Sequence, residues 1–159
     1  MSRRFGADKA LVCWRGRPLI AHVADALAAE CDAVIVCGRA WGGLPAVADV
    51  PGPNLGPMGG LAGALRHAAE QGFDELLSAP CDTPDLPAGL GRLLAPGPAV
   101  ADGQWLIGLW PAALAGRLAT LLAAEGPVSA RRWIAEAGAA RRPVPFVANI
   151  NRPGDLPGD

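Results

Sequence analysis

The sequence predicts an α/β domain: a three-layer α/β/α fold with a mainly parallel sheet and helices on both faces. Three observations carry this. Short apolar runs bounded by Gly, Pro or Asp alternate with stretches of helical periodicity. The clearest run, Asp32–Cys37, is apolar from Ala33 onward, the pattern of a parallel strand buried on both faces. Polar, Gly- and Pro-rich segments follow the runs, where ligands bind in open α/β sheets. At 159 residues, with no linker or internal repeat, the chain reads as a single domain spanning 1–159.

The elements follow in order. Residues 1–9 carry Gly, Ser and charge without apolar periodicity and read as a loop. Ala10–Trp14 is a short apolar run, followed by the turn-like Arg15-Gly16-Arg17-Pro18. Proline suits a helix's first turn, and Leu19, Ile20, Val23, Ala24 and Leu27 then recur at helical spacing. After the Asp32–Cys37 strand, residues 38–60 are loop by their Gly and Pro content, with room for a short strand at Ala46–Ala48. Helical spacing returns from Met58 to about Gln71, with Leu61, Leu65 and Ala68 on one face and Gly72 as a stop. Glu75–Ala79 reads as a strand ending in Pro80-Cys81-Asp82-Thr83-Pro84, which continues neither element. Pro87–Leu94 is a short helix, with Asp85 expected as its cap. Ala99–Ala101 and Trp105–Leu109 flank Asp102-Gly103, a hairpin signal. Helices are expected at Ala112–Ala124 and Ser129–Ala137, and a last strand at Val144–Ala148.

Composition excludes several function classes. The net charge is −1, without blocks of like charge, which argues against a nucleic-acid-coating surface. No apolar stretch approaches the roughly 20 residues that span a bilayer, and no signal-peptide core follows Met1. Cys13, Cys31, Cys37 and Cys81 form no C-x-x-C pair and have no His at zinc spacing, so free thiols in a reducing, cytoplasmic compartment are expected.

Four segments could carry chemistry, and each has a plain structural reading beside the functional one. Ser2-Arg3-Arg4-Phe5-Gly6-Ala7-Asp8-Lys9 offers cations, a hydroxyl and a flexible Gly. Such a loop cradles phosphate oxygens, or is simply a basic chain end. Lys9 is the only lysine against 13 arginines, and a lysine is a compact point charge not equivalent to arginine at a phosphate. Asn54-Leu55-Gly56-Pro57-Met58-Gly59-Gly60-Leu61 places glycines before a helix, which suits an anion, base or sugar or ordinary loop punctuation. Asp49 lies just upstream, as a ribose acceptor or a solvated acid. Asp82 sits between two prolines at a strand's carboxyl end, the usual place to hold Mg²⁺ against phosphates or to cap a turn. Asn149 and Asn151, two of the chain's three asparagines, share a face if extended or lie in a turn. His22 and His67 have no third partner, and no Ser-His-Asp set, G-x-S-x-G, Walker or G-x-G-x-x-G motif occurs.

Together these pieces resemble the molybdenum cofactor guanylyltransferases. Ser2, Arg4, Gly6, Asp8 and Lys9 match the second half of that family's L-A-G-G-x-S-x-R-x-G-x-D-K. Gly16-Arg17-Pro18-Leu19 resembles its G-x-P-L. Asp49 followed by Gly56-Pro57-Met58-Gly59-Gly60-Leu61 resembles its D…G-P-L-A-G-L. Pro80-Cys81-Asp82-Thr83-Pro84 matches its P-C-D-x-P, and Asn149-Ile150-Asn151-Arg152-Pro153-Gly154-Asp155-Leu156 its N-x-N-T-P-x-D-L. The resemblance implies a Rossmann-like nucleotidyltransferase fold. It implies transfer of GMP from GTP to the phosphate of molybdopterin or molybdenum-molybdopterin, with release of pyrophosphate. It implies that Ser2, Arg3, Arg4, Gly6 and Lys9 contact phosphates, and that Asp49, Gly56 and Gly59 contact the nucleotide. Asp82 would hold Mg²⁺, with Asn149 and Asn151 near the second substrate or metal. Lys9, Asp82 and Arg4 are the residues it makes catalytic. Molybdoenzymes or other cofactor-synthesis proteins are the implied partners.

The sequence also departs from the family. The L-A-G-G and the strand before it are absent, and the family spelling A-G-G-M-S-R-R-F-G aligns Met1 with an internal methionine. A chain beginning at Met1 is therefore expected to lack a central strand and to bind GTP weakly. Cys37-Gly38-Arg39 stands where the family often has Asn, and Trp105-Leu106 where it has His-Pro. Two other readings follow: a CTP-dependent molybdopterin or other small-molecule nucleotidyltransferase, and a catalytically impaired protein binding the nucleotide or molybdopterin.

Overall fold

A computed structural model describes residues 8–145 and 149–150. A 3₁₀ turn at Lys9–Leu11 leads into a small hairpin of β1 (Cys13–Trp14) and β2 (Arg17–Pro18). Pro18 immediately precedes α1 (Leu19–Ala28), which buries Leu19, Ile20, Ala21 and Val23. β3 (Val36–Cys37) pairs in parallel with β4 (Ala46–Val47). α2 (Pro57–Glu70) starts on Pro57 after Gly56, whose φ of 66° is open to glycine and strained for other residues. β5 (Glu75–Ser78) follows, then α3 (Leu90–Leu94).

β6 (Ala99–Ala101) and β7 (Gln104–Pro111) form the expected hairpin across Asp102-Gly103, with a bulge at Val100/Ala101. A 3₁₀ turn (Ala112–Leu114) opens α4 (Ala115–Glu125). α5 (Ala130–Ala137) starts on Ser129, whose hydroxyl accepts the Arg132 N–H at 3.1 Å, and ends on Gly138 at φ 66°. β8 is Ala140–Arg142.

The principal sheet has the order β5-β7-β6-β8. It is mixed: β7 runs antiparallel to both neighbours, and β8 is parallel to β6. The expected dominance of parallel pairing gives way here because the Asp-Gly hairpin inserts β7 beside β5. Both faces are buried. Along β7, Trp110 enters a core with Met58, Leu61 and Leu65 of α2, Leu118 and Leu122 of α4, and Trp133 of α5. Ile107 and Leu109 enter a second core with Leu90 and Leu94 of α3. Alternation along a strand sends neighbours to opposite faces. Ser78 locks the first face: its hydroxyl accepts the Trp110 indole N–H at 3.0 Å and donates to the Leu106 carbonyl at 3.0 Å.

Three local expectations are corrected. The last strand is Ala140–Arg142, paired with β6, and residues 144–145 lie outside any strand; residues 146–148 lie outside the described residues. The Asp32–Cys37 run forms a ladder only at Val36–Cys37, since only β4 pairs with it. Asp85 does not cap α3, which opens at Leu90. Glu30, just beyond α1, does so instead, accepting the Leu90 N–H at 3.2 Å and the Gly91 N–H at 3.1 Å. Asp85 faces Arg15 at 3.5 Å on the surface.

The β3–β4 pair and the principal sheet share no described ladder, and a gap lies between β3 and β5. α2 touches strands of both sheets. Its seat on β4 requires glycine, because a Cβ at Gly63 would stand 2.1 Å from the Ala48 carbonyl oxygen. Among the described residues no helix is long and apolar enough to cross a membrane. Gly63→Ala should lower stability by about 1–3 kcal/mol through overpacking. Gly116→Ala, in α4 with open space around it, should raise it by up to about 1 kcal/mol from helix propensity. Thermal melts of the two variants test the contrast; an unchanged midpoint for Gly63→Ala would contradict the close seat of α2.

Candidate functional site

The site assembles at the carboxyl ends of β3 and β5. After β5 the chain turns at Pro80, where the Thr83 hydroxyl donates to the Pro80 carbonyl at 2.8 Å. Thr83 is fully buried, so this turn holds Asp82 from beneath. The Asp82 carbonyl accepts the Ile150 N–H at 2.9 Å. Ile150 is itself packed with Trp14 and Leu19, so the Asn149-Ile150 segment is fastened beside Asp82, with Asn149 exposed.

Lys9 reaches the same place. Its Nζ lies 2.5 Å from Asp82 Oδ2, both side chains being mostly withdrawn from solvent. Sequence separation hides this pairing, which spans 73 positions. One residue earlier, Asp8 caps the 3₁₀ turn by accepting the Ala10 N–H at 3.3 Å and is paired with Arg39, just past β3. The Arg39 hydrogen bond holds the Asp8 carboxyl below its ordinary pKa, and Asp8 raises that of Arg39. Residues 8 and 9 thus straddle the ends of the two strands, one tied to each.

Asp49 lies just past β4. The start of α2 comes against it: a Cβ at Gly59 would lie 2.7 Å from Leu55 Cβ and 3.1 Å from Asp49 Oδ2, and one at Gly60 would lie 3.3 Å from Cys37 Cβ. Gly59 is therefore required for close approach, and Gly56 for its backbone turn. Two thiols flank the site. The Cys37 thiol donates to the Gly60 carbonyl at 3.4 Å. Although the residue as a whole is exposed, desolvation of the thiol, with Asp49 and Cys81 adding, pushes it up to about 11. Burial and the neighbouring Asp82 raise Cys81 as well. Both are protonated at neutral pH and supply neither nucleophile nor thiolate ligand.

The structure pairs Lys9 with Asp82 and packs Gly59 against Asp49, while Asp49, Gly56 and Cys81, the neighbour of Asp82, line one cavity; Asn149 precedes the Ile150 that bonds to Asp82. Ser2, Arg3, Arg4, Gly6 and Asn151 lie outside the described residues. Sequence reasoning missed Arg39, Thr83 and Gly63. Only Gly63 had a readable signal, being one helical turn beyond Gly59. His22 has a structural partner: Nε2 lies 2.8 Å from the Trp14 carbonyl oxygen, with the ring edge-on to the Trp14 indole.

The fit to a metal rests on Asp82. Among the described residues no group of three or more His, Cys, Asp and Glu side chains gathers to hold an ion alone. Asp82 Oδ1, however, is buried without a hydrogen-bond partner, a costly state for a carboxylate oxygen. Mg²⁺ binds through one or two carboxylates plus substrate phosphates and waters, and one fixed Asp with a spare oxygen meets that requirement. Lys9 occupies the other oxygen.

Residues 1–142 match the family described as the MobA-like NTP transferase domain. The molybdenum cofactor guanylyltransferase of Rhodobacter capsulatus is 40% identical over 171 residues, covering 97% of this chain and 87% of that protein. The molybdenum cofactor guanylyltransferase of Acidiphilium cryptum is 34% identical over 166 residues, covering 95% and 84%. The solved Aq1419 protein of Aquifex aeolicus superposes with a TM-score of 0.68 at 16% identity, covering 84% of this chain and 78% of that one, which supports the fold alone.

Two measurements test the site's electrostatics. Lys9→Gln removes the cation that competes for Asp82, so titration calorimetry without nucleotide should show Mg²⁺ or Mn²⁺ binding several-fold tighter than in the wild type; weaker binding would contradict the competition. The ionised Asp8 contributes stability fully above the ordinary carboxylate pKa of about 3.9, and loses it as pH falls through its lower folded value. Melting temperatures between pH 6 and pH 2 should therefore fall less steeply in Asp8→Asn; parallel curves would remove the Asp8–Arg39 pair from the account.

Proposed function

Because the chain belongs to the MobA-like NTP transferase family and is thereby a nucleotidyltransferase, we propose that it transfers GMP from GTP to the phosphate of molybdopterin or molybdenum-molybdopterin. The products are pyrophosphate and the guanine dinucleotide form of the cofactor. The names of the relatives support guanine and molybdopterin as the two halves of the reaction. The single observation that carries the site assignment is the convergence of Lys9 and Asp82, with one carboxylate oxygen unpartnered, at the carboxyl ends of the strands.

The chemistry asks for positioning and charge neutralisation. An acceptor phosphate oxygen attacks the α-phosphorus of GTP in line, and the bond to pyrophosphate breaks on the opposite side. The acceptor is already an anion, so no strong base is needed. This accords with a His22 ring engaged with Trp14 and with thiols held neutral. Lys9 is assigned to the leaving pyrophosphate, with Ser2, Arg3, Arg4 and Gly6 before it. Asp49, Gly56 and Gly59 are assigned to the nucleotide, where glycines let it approach a helix N-terminus. Asp82 is assigned to Mg²⁺, which when bound supplies Lewis-acid stabilisation of charge on phosphate oxygens. Asn149 and Asn151 are assigned to the acceptor side. Four free cysteines accord with a reducing, cytoplasmic setting.

Replacing Asp82 by Ala should lower the rate of guanylyl transfer by on the order of 100-fold or more, the scale of losing one preorganised electrostatic element. Pyrophosphate release from GTP with purified molybdopterin measures it. An unchanged rate would remove Asp82 from the reaction, and a clear preference for CTP in competition would overturn the choice of nucleotide.

A further inference from the structure

β5, β6 and β8 point the same way, because β7 runs antiparallel to β5 and β6 while β8 is parallel to β6. The start of β7 therefore stands at their carboxyl ends, where Asp82 follows β5. The β5–β7 register pairs Ser78 with Gly108. Carried three positions on, it brings Trp105 level with Cys81, the neighbour of Asp82. Trp105 and Cys81 do line one cavity, together with Asp49. From the other side, Gln104 pairs with Ala101 and Ala101 with Arg142. The preceding residue, Arg141, sets its guanidinium over the Trp105 ring, with Cζ 5.7 Å from the ring centroid.

Two features separate this ring from the core tryptophans. Trp110 and Trp133 are withdrawn from solvent, whereas Trp105 is only half-buried at the edge of the first core. The Trp110 indole N–H is bonded to Ser78, whereas Trp105 Nε1 has no partner, although a buried indole N–H ordinarily finds one. Arg141 is exposed, so its charge is available at the same wall. A flat ring, a guanidinium against it and an unused N–H suit a flat heteroaromatic group that carries negative charge.

We propose that Trp105 and Arg141 form the wall that selects the acceptor: the indole stacks on the flat pyrimidinone ring of the pterin, and the guanidinium faces the acceptor's negative charge. The assignment rests on the guanylyl-transfer reading above and adds specificity residues to the asparagines already assigned to the acceptor. The strand order gives the wall to the pterin rather than to guanine. Asp49 follows β4, across the cavity from β5, while Trp105 belongs to β7, on the paired edge of β5. Asp82 follows the strand between them. Two ring systems need two places, and these are the two sides of Asp82. Trp105 is also particular to this chain, standing where the family has His-Pro.

Three variants test the wall. Trp105→Leu keeps apolar bulk and removes the flat ring, Trp105→Phe keeps a flat ring, and Arg141→Gln removes the charge. Titration calorimetry on the full chain measures binding of a pterin monophosphate and, separately, of GTP, so no turnover is required. Trp105→Leu should weaken pterin monophosphate binding by about tenfold or more, the scale of one lost stacked ring, and leave GTP binding within about twofold. Trp105→Phe should retain most of the affinity. Arg141→Gln should weaken it several-fold and flatten its dependence on salt. In guanylyl transfer the same order should appear as a raised KM for molybdopterin with the KM for GTP unchanged. Unchanged pterin affinity in Trp105→Leu would overturn the proposal. So would a loss of GTP affinity in its place, which would give the ring to guanine. Equal losses in the Leu and Phe variants, with lowered melting temperatures, would reduce Trp105 to packing and overturn it too. Pterin binding that follows the expected order in a protein that transfers no nucleotide would support the wall and remove the reaction.

Discussion

The seat of α2 on the β3–β4 pair is the constraint on which the rest of the molecule depends. With no described ladder joining β3–β4 to the principal sheet, helices must hold the two together, and α2 touches both. It comes close enough because Gly59, Gly60 and Gly63 leave its face without side chains against Asp49, Cys37 and Ala48. The same approach places the first turn of α2 beside Asp49. Packing and the geometry around Asp49 are therefore one requirement: a side chain that displaced α2 would also displace the backbone beside Asp49.

Ion pairing supplies the second link. Lys9 and Asp8 join the segment before α1 to the ends of β5 and β3. Neither pair is deep in the core, so neither is a large contributor to stability by itself. Their value is positional. They hold one short stretch of backbone across two strand ends, and they leave Asp82 with a buried oxygen still unpartnered. Lys9 and Arg39 place cations beside the two strand ends, while the neighbouring thiols are pushed towards their neutral form. Such preorganisation suits a reaction that needs little from the protein beyond placement and charge.

The opposite face of the sheet shows how a distant residue replaces a local signal. Asp85 had the right chemistry to cap a helix opening at Pro87. The helix opens three residues later behind Gly89 at φ 70°, and Glu30 from beyond α1 reaches its first N–H groups. A carboxylate is what a helix start requires, but sequence proximity did not decide which one. Glu30 thereby fastens the end of α1 to α3.

Much of the fold and part of the site were legible in the sequence. The hairpin at Asp102-Gly103, the periodic faces of α1, α2 and α5 and the strand at Glu75–Ser78 follow from local rules: turn chemistry, helical spacing and apolar runs. The positions of Asp82 and Asp49 just past strands were readable from the apolar runs that precede them. What only the tertiary structure decided depends on contacts between distant segments. The pairing of Lys9 with Asp82, the place of Arg39, the burial of Thr83 and the strand at Ala140–Arg142 have no local signature. Asp32–Ile35 is the clearest case. Its composition specifies a buried strand, yet backbone hydrogen bonds need a neighbour, and the described ladder stops at Val36–Cys37, where β4 alone provides one.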